Sequence, residues 1–293
     1  MSLVKKSTIV RAKFSALKAT FRVLERAAPN VGGALALRLW CTPRHARPAA
    51  AGTPGTRRRI TVHGGEVLTE TWGEGPTVYL AHGWGGHRGQ LAGLVDPLVA
   101  AGCRVVTFDA LSHGESGPGA LGPDRSTLPE FAAVLTAVVA ESGPAHGIVA
   151  HSMGGTAAAL AVLDGVRASR LALVAPVAEP IGQTAEFAKA LGFGERVHAA
   201  MLRRLRRLVG RPLTDFDIPA RAAGRADLPP LLVVHDVKDR EVAHANGAAI
   251  AESWPGARLV TTEGLGHRRV LADQDVLRAV IGFVTAHEPA AAR

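Results

Sequence analysis

The residues with the clearest capacity for chemistry are a serine, an aspartate and a histidine, met in that order along 293 residues. Ser152 stands in Ala150-His151-Ser152-Met153-Gly154-Gly155, where an apolar run, His146 to Ala150, gives way at once to a small-residue helix, Thr156 to Leu163. A serine in so sharp a strand-to-helix turn is displayed above the sheet edge, and small residues two positions before and after it let strand and helix pass closely. The same turn aims the Met153 amide at the point where an oxyanion would form. A serine hydroxyl attacks a carbonyl carbon at neutral pH only if an imidazole takes its proton. The imidazole keeps the useful tautomer when a buried carboxylate accepts its Nδ1 proton. Both partners must therefore lie in loops at the carboxyl ends of strands.

His267 closes the run Thr262-Glu263-Gly264-Leu265-Gly266-His267, whose glycines allow its ring to swing back over the sheet edge. Asp239 follows the run Leu231 to Asp236 and is preferred as the acid. Asp236 is its rival, nearer the strand end and better suited to ordering the turn. A second oxyanion donor must come from the loop His82-Gly83-Trp84-Gly85-Gly86-His87, and the Trp84 amide is the candidate.

These loops need a scaffold, and the chain supplies alternating signals for one. Strands are expected at Ile60–His63, Val67–Trp72, Thr77–His82, Cys103–Asp109, His146–His151, Leu171–Pro176, Leu231–Asp236 and Arg258–Glu263. Helices are expected at Gln90–Ala101, Leu128–Glu141, Met153–Asp164, Ala243–Trp254 and Gln274–Ala286. Apolar strands separated by helical segments imply an α/β fold, a mostly parallel eight-stranded sheet covered on both faces. Gly64-Gly65 implies an antiparallel hairpin at its start.

Two segments fall outside the alternation. Ile181 to Pro230 has helical stretches at Thr184–Leu191 and Glu195–Val209 and is read as a helical cap inserted in the 58–293 domain. In it Val197, Met201, Leu205 and Leu208 form an apolar stripe, while Arg203, Arg204, Arg206 and Arg207 read as a solvated face. Residues 1–57 form an amino-terminal helical extension and linker, the linker at Pro48 to Thr56. Val10, Phe14, Leu17, Phe21 and Leu24 make one apolar stripe, amid Lys5, Lys6, Arg11, Lys13, Lys18, Arg22 and Arg26. Packing of that stripe on the body or on a second subunit is preferred. Weak contact of residues 1–26 with an anionic membrane surface is the alternative.

Composition narrows the class. No apolar run is long enough to span a bilayer, and no signal-peptide pattern follows Met1-Ser2-Leu3-Val4-Lys5-Lys6. Cys41 and Cys103 are too few for a disulfide framework or a cysteine zinc site, which points to a cytoplasmic protein. The formal charge of +9 invites nucleic acid, but the arginines are dispersed and no base-stacking platform accompanies them, so nucleic acid is not expected as a partner.

Together the motifs resemble the α/β-hydrolase superfamily over roughly Arg58 to His287. The two loops His82 to His87 and His151 to Gly155 look more narrowly like the group of monoacylglycerol lipases, lysophospholipases and serine aminopeptidase-like proteins. Asp109-Ala110-Leu111-Ser112-His113-Gly114-Glu115-Ser116 matches the loop that this group carries as Asp-x-x-Gly-His-Gly-x-Ser, with Ser112 and Ala150 departing from the usual glycines. The resemblance implies a serine hydrolase cleaving carboxylic esters or thioesters of a small molecule, with Ser152, Asp239 and His267 catalytic and Trp84 and Met153 at the oxyanion hole. It gives His82, Gly83, Asp109, His113 and His151 supporting places and calls for no metal or cofactor. An aspartate at 152 would have pointed to the dehalogenase and epoxide hydrolase branches. An amidase or peptidase, an acyltransferase and a ligand-binding protein without turnover are the alternatives.

Overall fold

The computed structural model describes residues 3–43 and 54–286, with side chains of the first helix described from Arg11 onward. Eight strands are found among the described residues: β1 (Thr56–Val62), β2 (Gly65–Trp72), β3 (Thr77–Ala81), β4 (Arg104–Phe108), β5 (Ala145–His151), β6 (Ala168–Val174), β7 (Leu231–Asp236) and β8 (Arg258–Thr262). They form one sheet in the order β1-β2-β4-β3-β5-β6-β7-β8. From β4 to β8 every pairing is parallel, and β2 runs antiparallel to both β1 and β4. The hairpin is real, but its two loop residues are His63 and Gly64, at φ 49° and 81°, the left-handed pair that a type I′ turn requires.

Every residue of β3 and β7 is buried, because a parallel strand with helices on both faces has no solvent side. Eleven α-helices are described: α1 (Leu3–Ala27), α2 (Pro29–Trp40), α3 (Val95–Ala100), α4 (Leu128–Ser142), α5 (Met153–Leu163), α6 (Gln183–Leu191), α7 (Glu195–Val209), α8 (Ile218–Ala222), α9 (Ala245–Ser253), α10 (Gly266–Arg269) and α11 (Gln274–Val284). Leu98 of α3 and Val276, Val280 and Val284 of α11 share one core with Val78, Leu80, Val149 and Val234 of the strands. The expected helix Gln90–Ala101 divides into a 3₁₀ segment, Arg88–Leu94, and α3. Pro97 explains the break: it donates no backbone hydrogen bond and is tolerated only in the first turn of a helix. Among the described residues no helix is long and apolar enough to cross a membrane.

The described chain forms two compact units, one from the segments up to Thr42 and Glu179–Asp217, the other from Pro43–Ala178 and the segment from Ile218 onward. The first unit is helical. Phe21 is fully buried there, tilted against Phe193 at 4.8 Å between ring centroids, and Leu17 packs on the same cluster of Val197, Met201 and Leu191. The α1 stripe thus closes on the inserted helices, while Phe14, further along it, stays exposed. Val10 and the linker residues up to 53 fall outside the described part. Helix α2 lies in the extension expected to be helical, although the sequence gives it no bounds of its own, and it contains Gly32-Gly33. Both glycines are packing devices: a Cβ on Gly32 would lie 2.6 Å from Val197 Cγ2, and one on Gly33 2.7 Å from the Met201 backbone nitrogen. The end of the insertion, including α8, belongs to the sheet-bearing unit.

Candidate active site

Ser152 links β5 to α5 with φ 55° and ψ −128°, a left-handed conformation rare for a residue with a Cβ. Its backbone is pinned from both sides: its N–H donates to the Val174 carbonyl at 2.9 Å, and its carbonyl accepts from Gly155 and Thr156. Close approach then dictates composition. A Cβ on Gly154 would lie 2.0 Å from the His82 carbonyl oxygen, so only glycine lets α5 start beside the end of β3. Ala150 is wholly buried, and its single methyl is accommodated where the resemblance has glycine. Met153 is the first residue of α5, and first-turn amides have no intrahelical acceptor.

His267 lies on α10, reached from β8 through Gly264 and Gly266 at φ 86° and 66°. Its Nδ1 donates to Asp239 Oδ2 at 2.7 Å, which leaves Nε2 bare to accept from Ser152 Oγ at 2.9 Å. The Asp239 side chain is fully buried and its Oδ1 accepts the amides of Glu241 and Val242 at 2.8 and 2.9 Å. His235, not singled out in the sequence, adds a further support. Its Nε2 donates to the Val242 carbonyl at 3.0 Å and lies 3.5 Å from Asp239 Oδ2. Burial pulls the His235 pKa down, so the ring beside Asp239 is held neutral.

Asp236 is occupied elsewhere. Oδ1 accepts the Lys238 amide, and Oδ2 accepts the Thr262 hydroxyl and the Leu265 amide at 2.9 and 2.8 Å. Burial opposes its ionisation, yet the donors at Leu265, Lys238 and Thr262 outweigh it and hold the carboxyl below its ordinary pKa. It ties the loop after β7 to the loop after β8, which is how Asp239 and His267 come together.

The remaining expected residues frame this chain of bonds. His151 Nε2 donates to the backbone carbonyl of His267 at 2.9 Å, joining the elbow directly to the His267 loop. Burial first, then the neighbouring His267, brings the His151 pKa down to about 3. His82 donates through Nδ1 to the Gly83 carbonyl at 2.8 Å and accepts the Ala110 amide at Nε2. It too is held neutral, by full burial and then by nearby His113. Gly83 abuts the elbow: a Cβ there would lie 3.1 Å from Ser152 Cβ, and its amide is taken by Gln90 Oε1 at 2.7 Å. That loop carries Trp84, whose ring meets His113 edge-on at 5.4 Å. His113 Nδ1 donates to the Leu111 carbonyl.

Asp109 anchors the loop after β4. It accepts from the Arg88 amide, the Arg88 guanidinium and the Glu115 amide at 2.6, 2.6 and 2.9 Å. Arg88 also pairs with buried Glu70 at 2.8 Å, an ion network that motif reasoning misses because Glu70 lies inside a strand. Ser112 takes φ 60°, the conformation expected of the glycine it replaces, and its hydroxyl offsets the strain by donating to Gly122 and accepting from Gly119, both at 2.9 Å.

A family model described as alpha/beta hydrolase family matches residues 78–280, which include Ser152, Asp239 and His267. The chain belongs to the alpha/beta hydrolase family. Its sheet order and elbow are those of a hydrolase fold, and the match stays at that level without singling out the narrower lipase-like group. Among solved structures, Est1E from Butyrivibrio proteoclasticus with bound ferulic acid is similar at 18% identity, covering 78% of this chain and all of that one, TM-score 0.59. The esterase EaEST from Exiguobacterium antarcticum is 18% identical over 79% of this chain and all of its own, TM-score 0.58. A bromoperoxidase from Bacillus anthracis is as similar, with 17% identity, 79% and full coverage, and TM-score 0.59. At such identities the likeness speaks for the fold. A comparison with curated protein sequences finds no match.

Proposed function

We propose that this hydrolase cleaves carboxylic esters or thioesters of small molecules through an acyl-enzyme on Ser152. The observation that carries the reading is the continuous hydrogen-bonded chain from Asp239 through His267 to Ser152, ending on an elbow that displays the hydroxyl. Ser152 Oγ attacks the acyl carbon as His267 Nε2 takes its proton. Asp239 stabilises the imidazolium, which then protonates the departing alcohol or thiol. The Met153 and Trp84 amides receive the oxyanion, an interaction worth about 3 kcal/mol for each donor. Water, deprotonated by the same histidine, releases the acid and restores the serine. EaEST, an esterase of the same fold, makes an ester the first substrate class to test.

The test is a panel of p-nitrophenyl esters of rising chain length beside aminoacyl-amide substrates, with wild type and Ser152→Ala. Ester turnover is expected to exceed amide turnover, and the alanine variant to lose roughly 10⁴-fold or more while melting normally. Faster amide cleavage replaces the esterase reading with a peptidase. Undiminished turnover in the variant ends the mechanism.

A further inference from the structure

The arginines of α7, read from sequence as a solvated face, gather around a common space. Arg203, Arg206, Arg207 and Arg211, with Gly210 and Pro212, line one concavity of about 540 Å³. Gly210, at φ 67°, ends the helix and turns the chain so that Arg211 joins the side chains of the last turns. Arg211 Nε bonds Asp215 Oδ2 at 3.0 Å and its guanidinium stacks over Phe216, while Arg203 Nη2 lies 3.5 Å from Asn30 Oδ1. Among the described residues the lining itself holds no carboxylate, the nearest being Asp215, which pairs with Arg211.

Compensation of the helix dipole accounts for cations in the last turn, Arg206 and Arg207, and the Asp215 carboxylate accounts for Arg211, which leaves Arg203 unexplained. Like charges four apart, as at Arg203 and Arg207, destabilise a helix, and guanidinium groups cannot relieve the repulsion by losing protons. The charge is also confined to this unit. Residues 1–42 and 179–217 hold 15 of the 34 Lys and Arg but 6 of the 25 Asp and Glu, an excess of nine that equals the whole chain's +9. The rest of the molecule is balanced.

We propose that this four-arginine concavity is a binding site for a ligand carrying phosphate groups. Guanidinium forks match phosphate oxygens two bonds at a time, and the volume falls in the range of small-molecule sites. Three exposed guanidinium groups, Arg203, Arg206 and Arg207, beside the Asp215-paired Arg211 call for a multiply charged anion, which a single carboxylate is not. A phosphate can arrive on a soluble molecule or on a lipid headgroup, and the experiment separates the two.

Full-length protein is titrated calorimetrically with inorganic pyrophosphate at constant ionic strength. Saturable binding is expected, weakened about tenfold or more in Arg206→Gln/Arg207→Gln, since each charge-assisted bond is worth about that factor. Arg258→Gln, an exposed charge of the other unit, should leave the affinity unchanged. Should the glutamine pair disturb the helix, Arg206→Lys/Arg207→Lys keeps the charge and loses the forks, and a several-fold weakening is expected. No binding beyond the matched chloride control, equal weakening by Arg258→Gln, or unchanged affinity in the lysine pair would overturn the proposal. Sedimentation with phosphatidylglycerol vesicles against phosphatidylcholine vesicles assigns the source. Pyrophosphate-displaceable capture by the anionic vesicles supports a headgroup, and pyrophosphate binding without capture supports a soluble phosphate. Duplex DNA bound more tightly than pyrophosphate would replace this small-ligand site with a nucleic-acid surface.

Discussion

Asp239 and Asp236 share a loop yet meet different partners. Asp239 holds His267 Nδ1 while Asp236 holds the Lys238 and Leu265 amides. Asp239→Asn should therefore leave the fold intact and the imidazole in the wrong tautomer, lowering kcat by about 10⁴. Asp236→Asn should cost melting temperature first, with a far smaller loss in kcat. Steady-state kinetics beside thermal melts check this, and the opposite ranking would pass the acid's role to Asp236. The order serine, acid, histidine was legible because motif and strand ends are local. The support that His235 gives Asp239 was not, since nothing in an apolar strand marks which side chain will face a loop several residues later.

At the scale of elements, β3, β4, β5, β7 and β8 were read to within a residue at each end because buried parallel strands are continuous apolar runs. The exposed β1, by contrast, starts at Thr56 and not Ile60, and β6 at Ala168 and not Leu171. Long-range polar pairing was invisible by comparison. Glu70 sits in β2, where alternation offers a strand with an incidental charge. The structure instead makes it one end of the buried network with Arg88 and Asp109. Burial opposes the charge on Glu70, and Arg88, the Gly55 amide and Arg57 together hold its carboxyl below the usual pKa. Arg88→Met removes the shared cation and strands two buried carboxylates, a loss of about 3–5 kcal/mol. Urea unfolding measures it, and a loss under about 1 kcal/mol would show that solvent, not Arg88, satisfies the carboxylates. The bounds of helix α2 escaped the sequence for a related reason: paired glycines show a tight helix crossing only once α7 is known to lie against them.

For the whole molecule, buried neutral histidines set a pH dependence. His82, His151 and His235 all have depressed pKa values, His151 at about 3. The unfolded chain takes up these protons below a pH of about 6.5. Stability is therefore complete above that pH and falls as the pH drops toward 3, by up to about 1.4 kcal/mol per pH unit for each ring. Asp236 and Glu70, whose carboxyl pKa values are lowered, add their own loss below a pH of about 4. Melting temperatures from pH 7 to pH 4 should decline, less steeply in His151→Gln. A flat profile would mean that the rings protonate without unfolding.

The central claim, that Ser152 carries the acyl group, is most directly tested by trapping that group. Wild-type protein is mixed with a p-nitrophenyl ester, quenched in acid within milliseconds, digested and read by peptide mass. The account predicts an acyl increment on the peptide bearing Ser152, formed with the burst of p-nitrophenol and absent from Ser152→Ala. Turnover with no adduct at Ser152, or an adduct on another residue that Ser152→Ala leaves in place, would contradict it.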